Sequence, residues 1–414
     1  MVLNGLSHLH GIKDKSHFAV GLIRGLGGNL QESTLNEFAK SVLRMTGDSM
    51  PDSNTIYNLT YDSRGDCLRA YVNEEPNDSN NEPLSNPSQL PIIKTTQVLR
   101  GVDGIMPWFD NKYRKPFLLI GPDGCGKSLV LKQCFTQLRS TQVAIIHCSA
   151  QTNPSNILQK LAQTCIQISS ISGKVYKPKE CENLILFLKD INLPKPDKWG
   201  TSQLITFLQQ LITYNGFYDD SLEFVRLENI QIVGSMNPNV TIGRHKLPSR
   251  FTSIVRIFAI SYPTDDQLKL IYSTYLRNIL SPTMGKHPKW SSNSNVYQLA
   301  TSMVNIYIQV LAKFSRDTYG HYLFTPRELT NWCLSLLRYN LAEIKNDSSV
   351  DSLLQIWAYE ACRIFHDRLV DTDSRNTFLG ILSSVLQEEW RSSGILSKLK
   401  GYCITKNIYI FNII

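Results

Sequence analysis

The chain has 414 residues, 42% apolar and 19% charged, an ordinary globular composition with enough sequence for two or three domains with real cores. Its formal charge of +8 comes from scattered cations rather than a Lys/Arg block, so no nucleic-acid partner is expected. Nine cysteines without a CxxC pair speak against zinc and disulfide frameworks, and neither a signal peptide nor an apolar run near the ~20 residues of a membrane helix is present, so a reduced, cytoplasmic chain without a membrane partner is expected.

From the N-terminus, FAVGLIRGLGGN reads as a helix with a Gly-rich stop. Ser33 opens a second, with Leu35, Phe38, Ala39, Val42 and Leu43 at helical spacing. Residues 54–72 alternate, as in IYNLTYD and CLRAYV around SRGD, and predict a β-hairpin. The stretch NEEPNDSNNEPLSNPSQLP is nearly devoid of apolar residues and reads as a linker, 76–91 in its narrowest form. Between 92 and 282 the apolar runs KPFLLI, TQVAIIHC, ENLILFL, ENIQIVGSM and SIVRIFAI alternate with helical stretches, the pattern of a parallel sheet covered by helices on both faces. Within it Asn153 is placed to cap a helix, Pro154 suits its first turn, and Ile157, Leu158, Leu161 and Ala162 form the expected inward face. Residues 290–392 read as all helical. VYQLATSMVNIYIQVLAKF is one long amphipathic helix, and TPRE opens another, with Thr325 as cap, Pro326 first and Glu328 closing a capping box. WAYEACRIFHDRL and TFLGILSSVLQEEW supply two more, while 393–414, ending IYIFNII, stays unassigned.

Gly121 to Ser128, GPDGCGKS, fits G-x-x-x-x-G-K-[ST] without gaps. Glycines let successive backbone N–H groups curl toward one point, and the following helix adds partial positive charge. Lys127 is then placed to reach β- and γ-phosphates and Ser128 to offer its hydroxyl to magnesium. The competing reading is a Gly-rich turn that binds nothing. It is disfavoured because an apolar strand, Phe117 to Ile120, leads in and a helical pattern, Leu129 to Leu138, comes after. A second strand should bring a carboxylate to the metal; the candidate is Leu184 to Leu188, followed by Lys189 and Asp190.

GPDGCGKS, LKDINLPKPDKWGT, GFYDD, ENIQIVGSMNP, LPSRFTSIVRI and TPRELTNW, in this order, resemble the AAA+ modules of dynein heavy chains, most of all the third of the six-module ring. CSAQT and LKDINLP are similar to the cytoplasmic dynein of intraflagellar transport. The resemblance spans about residues 15–392. It implies an α/β P-loop AAA+ large domain at 92–282, with a parallel sheet between helices, and an all-helical lid domain at 290–392. Residues 1–75 would be the end of a preceding module, helical lid and β-hairpin. The family's linker arm, first module, stalk and microtubule-binding tip have no counterpart here, so a slice of a larger motor is expected.

The resemblance also implies roles. Gly121, Pro122, Asp123, Gly124, Cys125, Gly126, Lys127, Ser128 and Leu129 would surround the phosphates of ATP or ADP, with Ser128 on Mg2+. Ile92 and Ile93 would touch adenine. Asn237 stands at the first sensor, Arg327 at the second, and Arg250 at the arginine finger that points into a neighbouring module. Each has a plainer alternative: Asn237 before Pro238 ends a strand, Arg327 is a surface lid residue, and Arg250 is a loop cation. The implied partners are neighbouring AAA+ modules, microtubules through parts outside this chain, and dynein intermediate and light chains. The implied location is the cytoplasm, the cytoskeleton and the cilium.

The chain departs from the hydrolysing pattern, in which Asp-Glu precedes INLP; here Lys189 and Asp190 occupy those positions. At roughly 4 Å and an effective dielectric near 20, one unit pair differs by about 4 kcal/mol, so a lysine there weakens a Mg2+ site. Asp190 remains as a shorter candidate base. Two readings stay open: nucleotide held as a regulatory ligand, which is preferred, or weak turnover with magnesium held by Ser128, phosphates and water. A self-contained, nucleic-acid-dependent P-loop ATPase and a purely structural ring spacer are the competing functions.

Overall fold

In the computed structural model, residues 12, 14–28, 30–48, 56–62, 65, 67–73, 90–110, 114–170, 173–219, 221–239, 241, 243–284, 287, 289–341 and 349–391 are described. Most of the expected linker and all of the tail 393–414 lie outside them. The chain divides into two units, one of residues 1–72 with 96–262 and one of 73–95 with 263–414.

The first unit opens with helices α1 (Lys15–Gly27) and α2 (Glu32–Thr46) and an antiparallel hairpin of β1 (Leu59–Asp62) and β2 (Cys67–Ala70). Helix α2 starts one residue before the expected Ser33, with Glu32 where the helix dipole favours an acid. Ala19, Val20, Ile23, Leu35, Ala39 and Leu43 close a small core between them. This fragment is fastened to the remainder of its unit. Ala259 N–H donates to Gly28 O at 2.9 Å, the Tyr71 hydroxyl donates to Asp103 at 2.5 Å, and the Arg100 guanidinium lies 4.6 Å over the Tyr57 ring.

Helix α3 (Thr96–Ile105) leads to β3 (Phe117–Ile120), the loop 121–126 and α4 (Lys127–Gln137), then β4 (Thr141–His147) and α5 (Pro154–Thr164). Strands β5 (Cys165–Ser170), β6 (Gly173–Pro178) and β7 (Asn183–Lys189) come next, then α6 (Gln203–Tyr214), β8 (Gly216–Tyr218), β9 (Phe224–Leu227), β10 (Ile230–Met236), the short α7 (Ser249–Thr252) and β11 (Arg256–Ala259). The five expected apolar runs form one all-parallel sheet in the order β11-β3-β10-β7-β4. Both faces are covered, which is why β7 is buried at six successive positions, Asn183 to Leu188. Burial of each large aliphatic or aromatic side chain there is worth ~1.5–3 kcal/mol.

Two features differ from the sequence reading. The capping box of α5 forms with Asn153 and Asn156, and Ile157 and Leu161 are buried, but Ala162 is exposed: it sits about 140° around the helix from Ile157, off the narrow stripe that meets the sheet. A second sheet, β5-β6-β9-β8, was not expected at all. Its β5 begins at the residue after α5, and β6 pairs parallel with β9 across some fifty residues, Val175 facing Arg226.

The second unit is helical: α8 (Asp265–Met284), α9 (Asn293–Lys313), α10 (Pro326–Ser335), α11 (Ser349–Ile364) and α12 (Thr372–Trp390). Helix α8 belongs here rather than with the sheet, because Leu268, Tyr272, Leu276, Ile279 and Met284 bury into this core; the boundary therefore falls at 262/263, not 282. The Thr325/Glu328 capping box forms as its spacing demands. At the centre the Trp332 and Trp357 rings lie 4.7 Å apart, and Trp332 Nε1 donates to Trp357 O at 2.9 Å. No helix among the described residues is long and apolar enough to cross a membrane.

Candidate functional site: the loop between β3 and α4

The three central parallel strands β3, β10 and β7 end side by side, and each delivers polar groups at its C-terminal end. Strand β3 runs into the glycine loop. Gly121 is demanded by close approach: a Cβ there would sit 2.4 Å from Ile260 O and 2.7 Å from Cys125 Sγ. Gly126 is demanded by its backbone, at φ 92°, and a Cβ on it would point into open space at the start of α4. Replacing Gly121 with alanine is expected to cost ~1–3 kcal/mol, because the nearest obstacle is backbone, the Ile260 carbonyl just after β11, whose own N–H is bonded to Ile120 O. Urea unfolding of the chain measures it.

Lys127, the first residue of α4, folds over this loop. Its Nζ donates to Gly121 O, Pro122 O and Asn237 Oδ1, each at 2.8 Å. Asn237 comes directly after β10 and is only 2% exposed. Its Nδ2 donates to Asp123 Oδ1 at 2.6 Å and its carbonyl accepts from Asn192 Nδ2 at 2.9 Å. The amide is thereby oriented from both ends, oxygen to the ammonium and nitrogen to the carboxylate. An ammonium gathered by loop carbonyls at the dipole-positive end of a helix can exchange those carbonyls for phosphate oxygens. Ser128, in the first turn of α4, is exposed, and Leu129 is half-buried.

Lys189 ends β7, paired in register with Ser235 and His147. It lies on the face that α4 covers, where Ile185 and Phe187 pack with Val130, Leu131 and Cys134; its Nζ is 5.8 Å from the Phe187 ring centre. Asp190 turns the chain with φ 58°, and its Oδ1 accepts from Arg244 Nη1 at 2.9 Å. That pairing was not foreseen. Arg250 is exposed on α7 in the first unit. Ile92, Ile93 and Arg327 belong to the second unit: Ile93 packs on the helical core, Ile92 is half-buried, and Arg327 is exposed at the start of α10 with its N–H on Thr325 Oγ1. Within one unit, then, the structure brings together Gly121, Pro122, Asp123, Lys127 and Asn237.

Residues 108–263 match the family described as P-loop containing dynein motor region, residues 275–375 match Dynein heavy chain, ATPase lid domain, and residues 1–46 match Cytoplasmic dynein 2 heavy chain 1, AAA+ ATPase domain. The chain belongs to the dynein heavy-chain family. Cytoplasmic dynein 2 heavy chain 1 from Tripneustes gratilla is 52% identical over 402 residues, 97% of this chain and 9% of that protein. The Homo sapiens protein of the same name is 50% identical over 404 residues, again 9% of its length. That of Chlamydomonas reinhardtii is 38% identical over 401 residues, 96% of this chain and 8% of that protein. The chain thus spans under a tenth of these dynein heavy chains.

In this dynein segment two buried thiols, Cys125 in the loop and Cys148 after β4, are held toward the neutral form. Burial pushes Cys125 up despite the Lys127 ammonium, and burial with the Asp190 carboxylate pushes Cys148 up to about 12. Six of the eight cysteines among the described residues are buried, where a thiol packs as a small apolar side chain.

Proposed function

We propose that this dynein segment is a regulatory nucleotide-holding module: it binds ADP or ATP at Gly121 to Ser128 and turns it over slowly or not at all. The observation that carries the reading is the Lys127 ammonium held at the mouth of the glycine loop by Gly121, Pro122 and Asn237. The residues fit a polyphosphate. The left-handed turn at Gly126 and the N–H groups at the start of α4 leave open space there for phosphate oxygens. Lys127 would neutralise phosphate charge there, and Asn237 would orient the terminal oxygens.

The same residues fit a protein-held magnesium poorly. Asp123 is engaged by Asn237, Asp190 by Arg244, and Lys189 brings positive charge to the end of β7. Ser128 and the phosphates themselves would be left to hold the ion. Ile92 and Ile93 are proposed to contact adenine, Arg327 to report nucleotide to the lid, and Arg250 to act on a neighbouring module. The parent protein is proposed to be a minus-end-directed microtubule motor of the intraflagellar-transport type in the cytoplasm and cilium, working with intermediate and light chains. The names of the dynein 2 relatives support that placement.

Titration of the 414-residue chain with a fluorescent ADP, with and without Mg2+, tests the reading. Binding with little Mg2+ dependence is expected, and absence of binding at millimolar nucleotide overturns it. Lys189→Asp is expected to tighten Mg2+-dependent binding by about 10-fold, because a repelling charge becomes an attracting one near a divalent ion. An unchanged Mg2+ dependence would remove Lys189 from the metal's surroundings.

A further inference from the structure

Arg244 has a partner that no sequence pattern announced. It lies seven residues past Asn237 and six before Arg250, in the segment that joins β10 to α7. Its side chain is only 12% exposed, and its Nη1 meets Asp190 Oδ1 at 2.9 Å. Next to it, His245 N–H donates to Asn192 O at 2.9 Å, and Asn192 Nδ2 donates to Asn237 O at 2.9 Å. The turn after β7, Asp190 to Leu193, is therefore bonded to the joining segment at two successive residues, Arg244 and His245. Beyond them Leu247 and Phe251 are buried at 7% and 1% exposure, leaving Arg250 exposed between two apolar anchors.

We propose that Asp190 is a positioning residue, and Arg244 its counterpart: the pair moors the Arg250-bearing segment to the end of β7, and Asp190 does not serve as a general base. A base must present a carboxylate oxygen aligned on the attacking water; the Arg244 guanidinium holds Oδ1 and so turns the carboxylate toward the joining segment, leaving only Oδ2 of this partly exposed side chain for other contacts. The left-handed backbone at Asp190, φ 58°, aims the carboxylate at the joining segment, a conformation that Asp and Asn adopt at little cost. The same bonds give the phosphate loop a continuous physical route to Arg250. Lys127 holds Asn237, Asn237 accepts from Asn192, Asn192 accepts from His245, and Arg250 lies five residues on. On this proposal the end of β7, where Lys189 stands in place of an acid, moors the segment that carries Arg250. The role of Arg250 rests on the proposed module reading; the mooring itself does not.

Hydrogen exchange on the full chain tests this, with fluorescent-ADP affinity as the second readout. Asp190→Asn and Arg244→Gln are each expected to speed amide exchange across 243–251 by about 3- to 10-fold, the scale of losing one partly screened charged hydrogen bond. Arg244→Lys, which keeps the charge, is expected to restore most of the protection, and ADP affinity should stay within about 2-fold throughout. Should Arg244→Gln fail to fold, Asp190→Asn carries the test, since asparagine accepts the same backbone. Unchanged exchange in that segment overturns the proposal. So does loss of single-turnover ATP hydrolysis in Asp190→Asn but not in Arg244→Gln, the signature of a base. A chain that never binds ADP refutes the module reading while leaving the exchange result to decide the mooring.

Discussion

Replacing Lys127 with alanine is expected to weaken ADP binding at least about 100-fold, equivalent to ~2.7 kcal/mol. The magnitude reflects what the side chain does. Its ammonium is drawn into the glycine loop, where three acceptors hold it at 2.8 Å, and charge-assisted bonds to phosphate are about twice as strong as neutral ones. Without it Asn237 loses the group that orients its oxygen, so the damage extends to the end of β10. Isothermal titration of both chains, with matched far-UV spectra as a folding control, measures the difference. Equal affinities would mean that nucleotide binds elsewhere or that the loop is only a turn.

The second large effect is on the helical unit. Trp332→Ala is expected to destabilise it by ~3–5 kcal/mol, the range for removing a fully buried large aromatic. Trp332 is 0% exposed, its ring packs 4.7 Å from Trp357 and 5.7 Å from Phe365, and its Nε1 satisfies Trp357 O. Alanine would leave a cavity between α10 and α11 and a buried carbonyl without its donor. Two units need not unfold in one step, so urea unfolding by far-UV ellipticity should be fitted with a separate helical transition. A shift below ~1 kcal/mol would mean that neighbouring side chains collapse into the space, contrary to interior packing.

Local rules explain which elements were legible beforehand. The strand, loop and helix at 117–137 are contiguous, Asn153 adjoins the helix it caps and the Thr325 capping box acts over three residues, so neighbours in sequence contain the whole interaction. The sheet β5-β6-β9-β8 escaped for the opposite reason. Cys165 switches from helix to strand without a Gly or Pro to mark it, and the β6–β9 pairing joins residues that no periodicity connects. Ala162 misled because an inward face drawn from four apolar residues was wider than the stripe that makes contact.

Sequence alone determined that a glycine loop carries Lys127 and Ser128 between an apolar strand and a helix, that five apolar strands precede a helical unit, and that a lysine stands at 189 where an acid is usual. Chain neighbours impose those features, through backbone freedom, strand burial and side-chain charge. Only the tertiary structure decided that Asn237 sits between Lys127 and Asp123, that Lys189 lies toward Phe187, and that Arg244 claims Asp190 from 54 residues away. Those contacts depend on which strand ends lie side by side in the sheet, and that order is set by the packing of both faces rather than by any stretch of the chain taken singly.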